Sequence, residues 1–533
     1  MQTEIYDYII VGAGSSGCVL AERLSADSSH RVLLIESGPD DTSPMIRMPR
    51  GIGKLLVPGN AHVWDYEVSP GGNAAPEVWL KGRAVGGSSS VNGMVYIRGA
   101  PADYDHWEAL GCEGWGWDVV GRCFVALEDH VLGASEWRGV GGPIPVTIGH
   151  DAGPLTDAVL AAAEQMGTPR VEDINALETV KNGGVGLQTR NIKNGKRISA
   201  AEAFLKPARK RANLEVLTLT KALRIEIEDG RATGLTIRDA AGKRLVKGRE
   251  IILSAGAIES PKLLQLSGIG PAAVLEAAGV PLKVASPNVG RNLREHRYLQ
   301  TVYEVVGGSL NHAFAGLGLL KSVLEYALFS KGALTHSAHE AGGFFKSTPE
   351  LDHADVQLGV SLYSLTATEK GVAPDAHPGL TILGYFTRPE SQGELHIVSA
   401  DPDERPVINA NHFSAEIDRK KAVALFRWLR ALGKQPALTP WIVREQAPGP
   451  SIESDDEILL NAVALGGTSF HICGTCRMGS DPESVLDPQL RVRGVGNLRV
   501  VDTSIMPTIV SGNTNAPAMV IGMLAAQMIL DAR

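Results

Sequence analysis

YDYIIVGAGSSGCVLAERLSADSSHRVLLIE, residues Tyr6 to Glu36, places an apolar strand, a glycine-rich turn, a helix, a second strand and a terminal acid in the order that dinucleotide binding requires. Ile9 to Val11 predict a buried strand. Gly12 suits the tight turn, Gly14 lets backbone amides approach a pyrophosphate, and Gly17 lets the helix pack closely on the strand. The unpaired N–H groups and positive dipole end of that helix favour an anion, and Glu36 ends the second strand where a carboxylate accepts from ribose hydroxyls. A turn of this kind also occurs without a ligand. Here the full strand-turn-helix-strand-acid context argues for a nucleotide, and the motif leaves FAD and NAD open.

The remaining composition narrows the class. In 533 residues, 44% hydrophobic with 60 glycines, there is ample material for a large α/β enzyme. A net charge of −8, from 51 basic and 59 acidic residues, argues against nucleic acid as a partner. The first strand follows Met1–Glu4 directly, so no secretory signal is expected and the protein reads as cytoplasmic. No transmembrane span is expected either. Gly316 to Leu328 is apolar but contains Lys321 and Glu325, which predicts an amphipathic helix and leaves peripheral contact with the inner membrane open. Five cysteines without framework spacing suit a reducing compartment.

Outward from the opening unit, Pro39 to Asn60 is an excursion rich in turn formers, and KGRAVGGSSSVN (Lys81–Asn92) is a second loop offering backbone and hydroxyl donors to a ligand. From Leu214 short alternating segments (Leu214–Leu219, Leu223–Glu228, Ala232–Arg238, Leu245–Val246) predict an antiparallel meander that returns the chain to a sheet strand at Ile251–Leu253. Residues 300–465 alternate short strands and helices and carry no phosphate-type loop. Near the end, HICGTCRMG (His471–Gly479) sets a histidine among small residues. Leu498 to Asp502 reads as a strand ending in an acid, and a polar cluster at Ser511–Asn515 precedes a closing helix.

GRAVGGSSSVNGMVYIRGAPADYD (Gly82–Asp105) and GAIESPKLLQLSGIG (Gly256–Gly270) resemble the two signature patterns of the glucose–methanol–choline (GMC) oxidoreductase family. Gly12–Glu36, Asn288–His296, His471–Gly479 and Val501–Asn515 match in the same order, so the resemblance runs from the first strand to the last helix. Within the family the chain is similar to bacterial alcohol and choline dehydrogenases and to oxidases of hydroxymethyl aromatics and pyridoxine.

The resemblance implies an α/β chain whose Rossmann-like FAD-binding domain interleaves with an α+β substrate-binding domain built on an antiparallel sheet with helices. The FAD-binding part is expected over residues 1–300, with excursions near 40–80 and 140–190, and over 466–533. Residues 301–465 and the excursions form the other. The implied reaction is oxidation of a primary alcohol to the aldehyde by hydride transfer to flavin N5, with His471 as base and Asn515 orienting the alcohol oxygen, Phe470 adding an aromatic wall. The implied cofactor set takes Gly12, Gly14, Ser15, Ser16, Gly17, Glu36 and Ser37 from the opening unit, and Arg83, Val85, Gly86, Gly87, Ser88, Asn92, Gly93, Met94 and Val95 from the second loop. Ala222 and Leu223 are assigned to adenine. Ala255, Gly256, Asp502, Asn513, Thr514, Asn515, Ala516 and Pro517 complete the set. Val91 stands where some members tether FAD through a histidine, so FAD is expected to be non-covalent. Cys473 and Cys476 are expected to be buried thiols, and no metal is expected. The electron acceptor is left open among a quinone, an electron-transfer protein and O2, and the oligomeric state between monomer and dimer. The alternatives are a lyase of the same fold that keeps FAD without redox turnover, an alcohol oxidase producing H2O2, and an NAD enzyme using only the first unit.

Overall fold

Continuous apolar runs buried on both faces build the first sheet around the opening unit: β1 (Ile5–Val11), α1 (Ser15–Leu24) and β2 (Val32–Ile35). The computed structural model describes residues 5–72, 74–149, 153–368 and 371–532. β1 pairs β2 in parallel, Tyr8 opposite Val32. β3 (Leu214–Leu217) lies parallel on the far side of β2, Leu214 opposite Val32. This corrects the expectation that Leu214–Leu219 opens the meander, because a short apolar run does not encode which edge it joins. The meander is β4 (Lys221–Glu228), β5 (Arg231–Asp239) and β6 (Gly242–Leu253). β6 is one long strand whose first half pairs β5 antiparallel and whose second half runs parallel between β1 and β7 (Leu498–Val500). After β6 comes α2 (Gly256–Leu266), and the chain closes with α3 (Asn515–Asp531), which packs on α1.

A second seven-stranded sheet, antiparallel throughout, runs in the order Ile442–Ala447, Arg297–Val305, Gly379–Phe386, Val356–Ser361, Ala341–Phe345, Gly184–Leu187, with Gly467–Thr468 on Arg297–Tyr298. Alternation sorts its side chains. Leu358, Val360, Leu380 and Ile382 pack with Leu425 and Leu429 of the helix Glu416–Gly433 in one core, whereas Gln357, Leu383 and Tyr385 turn to the other face, toward the first sheet.

The apolar helix expected near Gly316–Leu328 forms over Gly316–Phe329, with its apolar residues turned outward. Leu317, Leu320, Leu324, Leu328 and Phe329 are all exposed, and Ser322 is its one buried residue. Among the described residues no helix is long and apolar enough to cross a membrane.

Candidate active site

Where β1, β2 and β6 end, they open onto a cavity of about 440 Å³ that runs from the glycine turn to His471. Gly12 adopts φ +103°, and a Cβ there would meet the Ser254 carbonyl oxygen at 2.4 Å. Gly14 caps α1 without a side-chain hydrogen bond, which leaves the first N–H groups of the helix to a ligand. Gly87 closes down on the same turn, since a Cβ on it would stand 2.7 Å from the Gly14 Cα. Glu36 accepts from Ala13 N–H at 3.0 Å and Gly38 N–H at 2.8 Å, and burial raises its carboxyl to about 7. Asp502 accepts from Gly256 N–H at 2.9 Å and from the Ser260 hydroxyl at 2.6 Å.

Ser15, Ser16, Ser37, Ser88, Asn92, Gly93, Met94, Val95, Ala222, Ala255, Gly256, Asn513, Thr514 and Asn515 also line the cavity. The structure sets Gly17, Arg83, Val85, Gly86, Leu223, Ala516 and Pro517 off its wall. Gly17 serves packing, its hypothetical Cβ 1.9 Å from the Gly12 carbonyl oxygen. Gly86 donates to the Ala13 carbonyl at 2.7 Å, and the Arg83 guanidinium lies over Trp64 at 4.5 Å.

At the other end of the cavity a directed chain of hydrogen bonds surrounds His471. The Thr387 carbonyl only accepts, so His296 Nε2, 2.9 Å away, carries a proton and its Nδ1 is an acceptor. His471 Nδ1, 3.0 Å from His296 Nδ1, therefore donates, which leaves His471 Nε2 with its lone pair. That lone pair receives Asn513 Nδ2–H at 2.9 Å. The amide of Asn513 is oriented by Gln357 Nε2, which donates to its Oδ1 at 2.9 Å, and Gln357 Oε1 accepts from the Tyr385 hydroxyl at 2.6 Å. Tyr385 stacks on His296 with ring centres 4.5 Å apart. Burial, and then the neighbouring His296 and Lys81, hold His471 well below its ordinary pKa, so it is neutral at pH 7.

The peptide leading into His471 is gripped from both sides. Phe470 stands at φ +62°, its carbonyl accepts from Lys81 Nζ at 2.8 Å, and His471 N–H donates to Glu295 Oε1 at 3.0 Å.

Asn515, expected beside His471, is corrected by the structure: as the first residue of α3 its Oδ1 accepts from the Ser15 hydroxyl at 2.7 Å, on the glycine turn. Asn513 takes the place facing the imidazole. Phe470 and His471 do line the cavity, with Tyr298, Leu383, Tyr385 and His339 completing that end. Sequence reading missed His296, Gln357, Tyr385 and Lys81. His296 and Lys81 sit within motifs already singled out, but Gln357 and Tyr385 carry no local signal. Cys473 and Cys476 are free and buried, and burial pushes both thiols up. Among the described residues no group of His, Cys, Asp and Glu suits a metal.

Comparison with known proteins agrees in family over most of the chain. Models described as GMC oxidoreductase match residues 6–298 and 389–522. The chain is 39% identical to "Alcohol dehydrogenase [acceptor]" of Pseudomonas putida, over 99% of this chain and 96% of that protein. It is also 39% identical to the mitochondrial choline dehydrogenase of Homo sapiens, over 98% and 89%. Among solved structures it is similar to pyridoxine 4-oxidase from Mesorbium loti, with TM-score 0.89 and 32% identity over 99% of both chains. The nucleotide-shaped cavity, the neutral histidine at its end and these likenesses lead to one assignment: the chain belongs to the GMC oxidoreductase family and is an FAD-dependent oxidoreductase acting on CH–OH donors.

Proposed function

We propose that the protein oxidises an uncharged primary alcohol to the aldehyde, with His471 Nε2 as the base and Asn513 as the group that orients the alcohol oxygen. The observation that carries this reading is the hydrogen-bond chain that leaves Nε2 unprotonated at the cavity. An alcohol hydroxyl that inserts between Asn513 and His471 displaces the bond between them, gives its proton to Nε2 and accepts from Asn513 Nδ2–H. Bound FAD supplies the hydride acceptor. The residues fit that group: the bare N-terminus of α1 suits the pyrophosphate, Gly14 lines the cavity there without a side chain, Gly87 packs on it where a Cβ would collide, and Glu36 suits the ribose. Val91 is buried on the cavity wall and offers no nucleophile, which supports dissociable FAD.

The lining supports the substrate class. Its described acids are Glu36, Glu259 and Asp502. Glu36 and Asp502 are held by backbone N–H groups, and Glu259 accepts from the Tyr66 hydroxyl at 2.9 Å. The His471 end presents Phe470, Tyr298, Tyr385 and Leu383 and no carboxylate to pair with a quaternary ammonium, which favours an apolar or aromatic alcohol over choline. Residues 1–300 and 466–533 are assigned to FAD, and 301–465 with the excursions to substrate. We place the protein in the cytoplasm; the exposed leucines of Gly316–Phe329 support contact with the inner membrane and, with it, a quinone among the candidate acceptors. The test is anaerobic titration of the flavin spectrum with benzylic, heteroaromatic, aliphatic and quaternary-ammonium alcohols. Bleaching by the first three classes and not by the last is expected. Recovery on admitting air separates an oxidase from a dehydrogenase, and a spectrum that no alcohol changes rejects the reading.

A further inference from the structure

Among the described residues four arginines are deeply buried: Arg98, Arg197, Arg297 and Arg499. Three are neutralised. Arg98 forks onto Glu128 at 2.6 and 2.8 Å, Arg297 meets Glu77 at 2.9 Å, and Arg499 meets Glu250 at 2.5 Å. Arg197, 3% exposed, has only neutral partners: Nε donates to the Ile46 carbonyl at 2.9 Å, and Nη1 donates to the Ser89 carbonyl at 3.2 Å and to Asn92 Oδ1 at 2.6 Å. Its Nη2 is buried and finds no acceptor. Burial alone lowers its pKa, to about 9, with no carboxylate offsetting it, so the guanidinium remains charged at neutral pH. An uncompensated buried cation is costly, and removing the cost needs only one nearby acid.

The place of Arg197 supplies the reason to keep it. Asn92 lines the cavity, and the next residue, Gly93, abuts Ala338, which with His339 and His471 lines the same cavity. The guanidinium thus stands one side chain behind the cavity wall, and Asn92 would hold it beside an isoalloxazine bound in the cavity that His471 lines. Hydride brings two electrons and one proton, so the ring gains one negative charge as the alcohol carbon becomes a carbonyl carbon.

We propose that Arg197, acting through Asn92 and across the cavity wall, is the positioning charge that stabilises the reduced, anionic flavin and raises its reduction potential. The inference rests on the proposed FAD reading. It concerns driving force rather than proton transfer, and Arg197 does not itself touch the alcohol.

The test uses FAD-loaded protein and sulfite, whose addition at N5 places the same single negative charge on the ring without any alcohol. Arg197→Gln is expected to weaken sulfite binding at least tenfold and to lower the two-electron potential by about 30 mV per tenfold change, while Arg197→Lys at pH 6 stays within threefold of wild type. If Arg197→Gln fails to hold FAD, Arg197→Lys decides alone. Its sulfite affinity relative to wild type has to fall between pH 6 and pH 9, as a buried ammonium without a carboxylate loses its proton; a constant ratio overturns the proposal. Wild-type protein that binds no FAD overturns both readings, whereas wild type bleached by alcohol together with unaltered sulfite affinity in Arg197→Gln overturns this one alone.

Discussion

Replacing His296 by leucine isolates what the histidine pair does. In the native chain His296 Nδ1 accepts from His471 Nδ1 at 3.0 Å, and its tautomer is set by Thr387 at 2.9 Å on the other side. Leucine leaves a buried N–H without a partner and frees His471 to adopt the tautomer with Nε2 protonated, which cannot act as base. When Nε2 takes the alcohol proton, the bond from Nδ1 becomes a bond from a cation, worth about 1.5–3 kcal/mol. At 1.36 kcal/mol per decade this predicts a loss of about 10- to 150-fold in the rate of flavin reduction. His296→Gln keeps a carbonyl for His471 and an N–H for Thr387, and is expected to stay within about fivefold of wild type. The assay is anaerobic rapid mixing with a saturating alcohol, followed at the flavin band in protein with matched FAD content. A leucine variant that reduces its flavin within threefold of wild type refutes the tautomer argument, as does a glutamine variant equal to leucine.

Three further expectations follow from the site. Asn513→Ala should slow flavin reduction by about 10- to 100-fold, whereas Asn515→Ala, which loses its bond to Ser15, should act mainly on FAD retention; rapid mixing and the bound-flavin ratio separate the two. His471 is active when neutral, and its pKa is held well below the ordinary value of 6.5, so the acid limb of kcat/KM has to lie well below pH 6.5, with activity lost as pH falls; a limb at or above 6.5 contradicts the geometry. Gly87→Ala puts a Cβ 2.7 Å from Gly14 Cα at φ +52°, and a thermal melt should show a loss of about 1–3 kcal/mol together with lost FAD.

Legibility followed sequence distance. Gly12, Gly14, Gly17 and Glu36 lie within one strand-turn-helix-strand unit whose spacing is itself the geometry, so both the sheet and its ligand class were readable. The motif singled out His471, which lines the cavity, but it carried no signal to choose between Asn513 and Asn515. Two residues apart, one ends a turn and faces His471 while the other starts α3 and faces Ser15, and spacing alone cannot say where α3 begins. Gln357 and Tyr385 come from neighbouring antiparallel strands with Gln357 opposite Tyr385, and alternation reveals two faces without revealing which one looks onto a cavity. Arg197 was hidden for a related reason, since a lone arginine in a polar turn reads as surface until its burial is seen.

The first sheet is stitched from both ends of the chain: Ile5 lies opposite Lys247, and Ile251 opposite Leu498. During synthesis at roughly 5–20 residues per second, β7, which flanks β6, follows β2 only after about 25–90 s. Through that interval the apolar edge of the half-built sheet has no native neighbour, and the nucleotide cavity still lacks Asp502, Asn513 and α3. The cavity can therefore close around its ligand only once these late residues have been made, and the unfinished edge has to be shielded until then.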